Sequence, residues 1–262
     1  MPTATQLVAL VASRNAIARS RLLILDVDGV VRAQTLEEIL AGAQPGPREV
    51  GRYARPGLAV DAEHAFVVSA GGLVAKVDLG TLAVTYQRPA RRTLSAPAKA
   101  SEGSSLKALW LGNGLLAFSG KDEEVWTTAD GVLNLRDRPA GLSVVDTRSW
   151  SIRTIDREAE WFVRAGRLLY AMRHSWDSST RTTTGMGVAA YDFDGGKRFH
   201  VLPHAVAYLA LVYRGRAYVG PDRPGGPYLV VDVGSGRVLG TRAAGLPRLL
   251  REQASPFWGN GY

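Results

Sequence analysis

The chain contains no cysteine among its 262 residues. This absence excludes disulfide bonds, cysteine-ligated zinc and thiol catalysis. Histidine is scarce as well, and the one pair at helical spacing, His200 and His204, is interrupted by Pro203. Because the surrounding pattern is β rather than helical, we expect no histidine-based metal site.

Lysine is also rare, with 5 residues against 27 arginines, although the formal net charge is +8. Along the sequence the basic residues are scattered, and only Arg88, Arg91 and Arg92 form a cluster of three. Nucleic-acid binding usually needs a concentrated basic stripe. We therefore predict a solvated basic surface and no specific nucleic-acid partner.

Long apolar runs are missing, because no stretch reaches the ~18 residues of a membrane span. The N-terminal segment 6–12 is apolar for only six residues and has no charged segment before it, which favours a β-strand over a secretory signal. We predict no membrane span and no signal peptide in this chain, and we expect a monomer. The sequence does not determine the cellular compartment. If the N-terminus is truncated, we expect an extracytoplasmic protein.

What the chain does contain is a repeated phrase: an apolar strand that ends in aspartate, a short turn and a second apolar strand. Two further apolar segments, rich in Val, Leu and Tyr, precede the later copies. The intervals between the repeated aspartates are 52, 68, 46 and 40 positions, for Asp26, Asp78, Asp146, Asp192 and Asp232. Four-stranded units repeated every ~40–50 residues are typical of a β-propeller.

We predict an all-β fold, a β-propeller of four-stranded antiparallel blades, in a single domain over residues 1–262. The predicted blades lie at about 6–40, 57–90, 105–157, 160–203 and 206–243. The first unit lacks its first strand, and segment 245–252 would supply it. This gives five blades, with the last strand completing the first blade. The alternative is an incomplete six- or seven-bladed propeller.

The turns after the repeated aspartates are short, whereas long insertions fall at the opposite end of the units. Long loops on a rigid scaffold commonly carry binding residues. Insertions 121–140, 173–186 and 221–226 combine acids with aromatic or basic side chains. The candidate binding residues are Asp122, Glu123, Trp126, Asp130, His174, Trp176, Asp177, Asp222 and Arg223. Such a surface could hold a protein, a peptide or a glycan.

We predict a non-catalytic binding scaffold that uses this loop-rich end. The alternative is a hydrolase or lyase with an axial carboxylate site that uses Asp122, Asp130, Asp177 or Asp222. It requires two carboxylates ~5–10 Å apart for glycosidic chemistry, and at least one perturbed pKa. We expect no cofactor, although carboxylates and carbonyls from several blades that converge near the axis could hold Ca²⁺.

Two of the repeats resemble YVTN-type and quinoprotein-like β-propeller repeats. The resemblance lies in residues 65–69 with 77–84, and in residues 217–220 with 230–238. It implies the propeller fold, in a family that includes surface and extracytoplasmic binding proteins and some enzymes. The general character of the chain suggests a bacterial protein.

A shorter stretch, 23–31, resembles the first motif of haloacid-dehalogenase-type phosphatases. That resemblance implies that Asp26 is a nucleophile and Asp28 a general acid. The family also needs a parallel α/β sheet with a later Ser or Thr, a lysine and an acidic pair, for which the chain shows no frame. We predict instead that Asp26 ends a strand and accepts hydrogen bonds from the amides of its turn.

Overall fold

The computed structural model describes residues 6–11, 21–36, 39, 56–69, 73–88, 105–220 and 227–242. These residues form twenty strands, and their pairings are antiparallel. The chain divides into two compact units. Unit 1 comprises Met1–Glu160 and Trp176–Thr182, and unit 2 comprises Trp161–Ser175 and Thr183–Tyr262.

Unit 1 contains three successive groups of antiparallel strands, and the first two have their strands in chain order. The first sheet has β1 (Leu7–Val11), β2 (Arg21–Asp26) and β3 (Gly29–Thr35). The second has β4 (Gly57–Val60), β5 (His64–Ser69), β6 (Leu73–Asp78) and β7 (Val84–Arg88). The third has β8 (Ser105–Gly112), β9 (Leu115–Thr127), β11 (Leu142–Asp146) and β12 (Ser151–Asp156), and β10 (Leu133–Pro139) pairs with the far half of β9.

The core of unit 1 follows from the two-residue period of its strands. On β5, Ala65 and Val67 face one buried cluster, which they share with Leu22 and Ile24 of β2. The alternate residues of β5, Phe66 and Val68, face a second cluster with Leu116 and Phe118 of β9. A strand that is buried on both faces reads as a continuous apolar run, which is what Ala65 to Val68 shows.

Two further four-stranded meanders lie in unit 2, apart from the hairpin tip Trp176–Thr182, which belongs to unit 1. The first has β13 (Trp161–Ala165), β14 (Leu168–Asp177), β15 (Thr182–Asp192) and β16 (Lys197–Val201). The second has β17 (Tyr208–Tyr213), β18 (Arg216–Gly220), β19 (Tyr228–Asp232) and β20 (Val238–Arg242). One buried cluster joins them, with Tyr170, Val188 and Phe199 on one side and Ala217 and Val219 on the other.

The all-β prediction is confirmed, and the propeller prediction is confirmed in its blades, because the five repeats form five successive antiparallel meanders. The predicted closing strand 245–252 lies outside the described residues. The single domain over 1–262 stays a prediction. Leu36 and Ile39 have helical backbone and are buried in the first core cluster.

The repeated aspartates close the turns that follow their strands, as predicted. Asp78 Oδ1 accepts hydrogen bonds from Thr81 N at 2.7 Å and from its hydroxyl at 2.9 Å. Asp232 Oδ1 accepts the same pair of bonds from Ser235, at 2.7 and 2.6 Å. These bonds lower the pKa of both carboxyl groups.

Asp26 belongs to the same class, because its Oδ1 accepts the backbone N–H of Asp28 at 2.9 Å. It pairs with Gly29 in an antiparallel hairpin of β2 and β3. The phosphatase alternative is therefore wrong, because the family's nucleophile stands on a parallel α/β sheet.

Candidate functional site

The most distinctive feature of unit 1 is a two-stranded ribbon that extends from its third sheet. Strand β9 pairs with β11 as far as Phe118 and with β8 as far as Lys121, and from Lys121 to Thr127 it pairs with β10. The six residues beyond Lys121 extend about 20 Å. The prediction of a loop over 121–140 is therefore wrong. An antiparallel ribbon with solvent on one face accepts charged residues, so the acidic run of 122–124 is compatible with a strand.

The tip of the ribbon is closed by its own hydrogen bonds. Thr128 N donates to Val132 O at 2.9 Å, and Val132 N donates to the Thr128 hydroxyl at 3.1 Å. That hydroxyl also bonds Asp130, which lowers the pKa of the Asp130 carboxyl. At this tip Val132 and Leu133 are 52% and 65% exposed, so the ribbon ends in an apolar pair that faces water.

A second hairpin tip, Trp176–Thr182, braces the side of the ribbon. Arg136 Nε donates to Asp177 Oδ2 at 2.7 Å, and Ser178 N donates to Leu135 O at 2.9 Å. In return, Leu135 N donates to the Ser178 hydroxyl at 2.7 Å. The prediction of a loop over 173–186 is also wrong, because β14 runs to Asp177 and β15 begins at Thr182.

Arg136 connects two residues that the sequence singled out. Its guanidinium carbon lies 5.3 Å from the centre of the Trp126 ring, while its nitrogens bond Asp177. A hydrogen bond from the Ser179 side chain is the largest cause of the lowered pKa of Asp177, and Arg136 adds to it. These hydrogen bonds therefore keep the Asp177 carboxylate ionised, and they already use its oxygens as acceptors.

The base of the ribbon holds a cluster of three ionisable side chains. Lys121 Nζ lies 2.8 Å from Asp137 Oδ2 and 3.8 Å from Glu160 Oε1. Both carboxylates are buried, and the second oxygen of Asp137, Oδ1, has no hydrogen-bond partner among the described residues. Burial raises the pKa of Glu160 to about 7, with Lys121 opposing the shift and Asp137 adding to it.

The remaining predicted site residues are not all brought together. Asp122 and Glu123 lie on β9, opposite Arg138 and Asp137 in register. Trp176 is half-buried near the end of β14. His174 belongs to unit 2, where its ring packs edge-on against Tyr208 at 5.5 Å. Asp222 and Arg223 lie outside the described residues.

Sequence reasoning missed Lys121, Asp137 and Glu160 as a group. Asp137 sits between two arginines in the sequence, which favours a solvated charge run. One feature of the sequence does indicate a strand in this segment: residues 121–128 contain no Gly, Pro or Asn, which a long loop usually contains.

Within the described ranges, no group of three or more His, Asp or Glu side chains is placed to hold a metal. The Ca²⁺ expectation stays a prediction. No helix in that part of the chain is long and apolar enough to cross a membrane.

No protein-family model and no curated protein sequence matches the chain. Among solved structures, a quinohemoprotein alcohol dehydrogenase from Pseudomonas putida is 13% identical with a TM-score of 0.49, and the match covers 90% of this chain and 40% of that one. BamB from Moraxella catarrhalis is 15% identical with a TM-score of 0.40, and the match covers 90% of this chain and 73% of BamB. AztD from Citrobacter koseri is 14% identical with a TM-score of 0.46, and the match covers 93% of this chain and 58% of AztD. This chain thus spans two fifths of the length of the dehydrogenase.

Proposed function

We propose that this protein is a non-catalytic scaffold that binds a protein partner through the ribbon of β9 and β10. The observation that carries the proposal is the exposed apolar pair at the tip, Val132 and Leu133. Adjacent exposed Val and Leu side chains at the end of a ribbon suit an apolar pocket on another protein, because their burial would remove apolar surface from water.

The ribbon is also fixed before any partner binds. The Lys121–Asp137 pair holds its base, the Arg136–Asp177 pair holds its side, and Thr128 closes its tip. A preformed element loses little conformational entropy on association, and this favours affinity. The same bonds would fix the position of the two tip side chains.

The described acids near the tip favour binding over catalysis. Asp130 and Asp177 both have a lowered pKa, because neighbouring hydroxyl groups donate hydrogen bonds to them. A general acid at neutral pH needs a raised pKa. These two carboxylates therefore suit structural or recognition roles.

The test is an affinity pull-down from cells that naturally produce the protein, with the full chain and two double variants as baits. In Val132→Ser/Leu133→Ser the apolar tip is removed. The control Val238→Ser/Leu239→Ser removes a pair of the same composition, 50% and 49% exposed on β20. The affinity of each enriched protein is then measured with purified components.

We expect a partner whose dissociation constant rises about tenfold or more with the tip variant and changes less than about twofold with the control. Equal affinity for both variants, or no protein that binds the wild-type chain, would overturn the proposal.

One observation favours a second candidate, a hydrolase or lyase. Asp137 and Glu160 flank one ammonium group, and burial raises the pKa of Glu160 to about 7. A close carboxyl pair with one raised pKa is what acid–base hydrolysis requires. A panel of chromogenic glycosides and esters tests it: turnover that is lost in Glu160→Gln and kept in Lys197→Met would support an enzyme.

A further inference from the structure

Unit 2 gathers basic side chains that are scattered in the sequence. Four short turns carry them, at 164–167, 192–198, 213–216 and 232–237; we call these the basic turns. The first and third contain Arg164, Arg167, Arg214 and Arg216 and no acid. The second and fourth contain three cations, Lys197, Arg198 and Arg237, against three acids, Asp192, Asp194 and Asp232.

The basic turns form one continuous surface, because each contacts the next. The guanidinium carbon of Arg164 lies 5.2 Å from the centre of the Phe193 ring. A Cβ on Gly236 would lie 2.7 Å from Arg198 O, so the fourth turn packs directly against the second. Val233 N donates to Gly215 O at 2.8 Å, which joins the fourth turn to the third.

This surface carries more positive than negative side chains. Its seven cations outnumber its three acids by four, which is half of the formal net charge of +8. All seven cationic side chains are exposed. Two of the acids are engaged locally: Asp192 Oδ2 lies 3.3 Å from Arg198 Nη2, and Asp232 Oδ1 accepts bonds from Ser235.

The excess does not simply reflect an arginine-rich composition. The corresponding turns of unit 1 lie at 26–29, 61–64, 78–82, 112–115 and 146–150. They contain a single arginine, Arg148, and six acids: Asp26, Asp28, Asp61, Glu63, Asp78 and Asp146. The sign of the charge is therefore specific to the turns of unit 2.

Aromatic rings position two of these arginines. The guanidinium carbon of Arg214 lies 5.2 Å from the centre of the exposed Tyr213 ring, and Arg164 lies over Phe193. Arg164 Nε also donates to Gly166 O at 3.0 Å, so its N–H edge is partly used. For Arg214, a guanidinium group that rests on a ring can still present its N–H edge to a ligand. That edge matches a carboxylate in a bidentate geometry.

We propose that the basic turns are a docking surface for an acidic segment of a protein partner. Charge complementarity identifies the occupant, because seven exposed cations attract a chain of carboxylates. The interspersed acids favour a polypeptide over a nucleic acid. They would repel an unbroken row of phosphates, whereas an acidic polypeptide can place neutral residues opposite Asp192, Asp194 and Asp232. This surface is independent of the ribbon.

The probe is a fluorescent poly-glutamate peptide, and its binding to the full chain is followed by fluorescence anisotropy at low and physiological salt. The variant is Arg167→Gln/Arg214→Asn, which takes one cation from each blade of unit 2. The control, Arg157→Gln/Arg181→Asn, removes two exposed arginines from unit 1. Arg214 and Arg181 have positive φ angles of 48° and 53°, and asparagine tolerates this conformation at both positions.

We expect the variant to raise the dissociation constant about tenfold and the control less than about twofold, with weaker binding at higher salt. Both proteins must keep the wild-type unfolding midpoint. An equal loss in variant and control would mean that only net charge matters and would overturn the proposal. The absence of peptide binding would overturn it as well. So would single-stranded RNA that displaces the peptide when its phosphates are at a lower concentration than the carboxylates of the peptide.

Discussion

Lys121 and Asp137 form an ion pair of 2.8 Å across the two strands of the ribbon, at the point where the ribbon leaves its blade. In register, Lys121 lies opposite Pro139, so Asp137 is its diagonal neighbour on the same face. Glu160 approaches the same ammonium group from the segment before β13. The cluster therefore ties three separate parts of unit 1 together.

Replacing Lys121 with methionine should destabilise the protein, because two buried carboxyl groups lose this cation. We expect the free energy of unfolding to fall by about 2–3 kcal/mol near pH 8, as measured by urea denaturation. The exposed Lys197→Met is the matched control and should change the free energy by less than about 0.5 kcal/mol. Equal effects of the two substitutions would contradict the anchoring role of Lys121.

The raised pKa of Glu160 makes stability depend on pH. Its pKa is about 7 in the folded chain against an ordinary value of 4.5, so the folded state binds the proton more tightly than the unfolded state. Stability should therefore fall as the pH rises from about 4.5 to about 7 and then level off, a total change of about 3 kcal/mol. Glu160→Gln should remove this slope. A wild-type profile that is as flat as that of the variant would show that the pKa is not raised.

Tyr170 in the core of unit 2 offers a substitution that should not destabilise. Its hydroxyl oxygen is buried and has no hydrogen-bond partner among the described residues, and burial raises its pKa to about 12. Tyr170→Phe removes that oxygen and keeps the ring. We expect the free energy of unfolding to rise by up to about 1 kcal/mol, or to stay the same, in urea denaturation. A loss of more than about 1 kcal/mol would mean that the hydroxyl group makes a stabilising bond.

The sequence predicted the blades well because their signal is local. Alternating apolar residues form each strand, and Asp78 or Asp232 closes the next turn with its own carboxylate. The long hairpins were missed because the ribbon is only partly buried, so its acidic run 122–124 hides the strand pattern. The register of β9 and β10 brings Asp137 to Lys121, and the later chain segment before β13 adds Glu160. The basic turns likewise bring together residues from two blades. No spacing in the sequence encodes such contacts.

Gly57 marks a close approach between two blades of unit 1. A Cβ at this position would lie 2.7 Å from the backbone nitrogen of Ala108 on β8. Gly57→Ala should therefore lower the free energy of unfolding by about 1–3 kcal/mol, because backbone rather than a flexible side chain must move. Gly234→Ala is the control, since its nearest neighbour would be a side-chain oxygen of Asp232 at 3.5 Å. Similar unfolding midpoints for the two variants would contradict the tight contact.

Asp146 should give the turn aspartates a measurable acid signature. Its Oδ1 accepts the backbone N–H of Arg148 at 2.9 Å, and its Oδ2 lies 2.9 Å from Arg148 Nη2. The side-chain bond from Arg148 is the largest cause that lowers the pKa of Asp146 from 3.8 to about 2. The carboxylate therefore stabilises the fold above pH 3.8, and this contribution is lost as the pH falls through about 2. Asp146→Asn should lower the thermal midpoint near pH 6 and lose that effect near pH 2. In Arg148→Gln, an NMR titration should find the pKa of Asp146 closer to 3.8; an unchanged value would show that the turn amides alone hold it down.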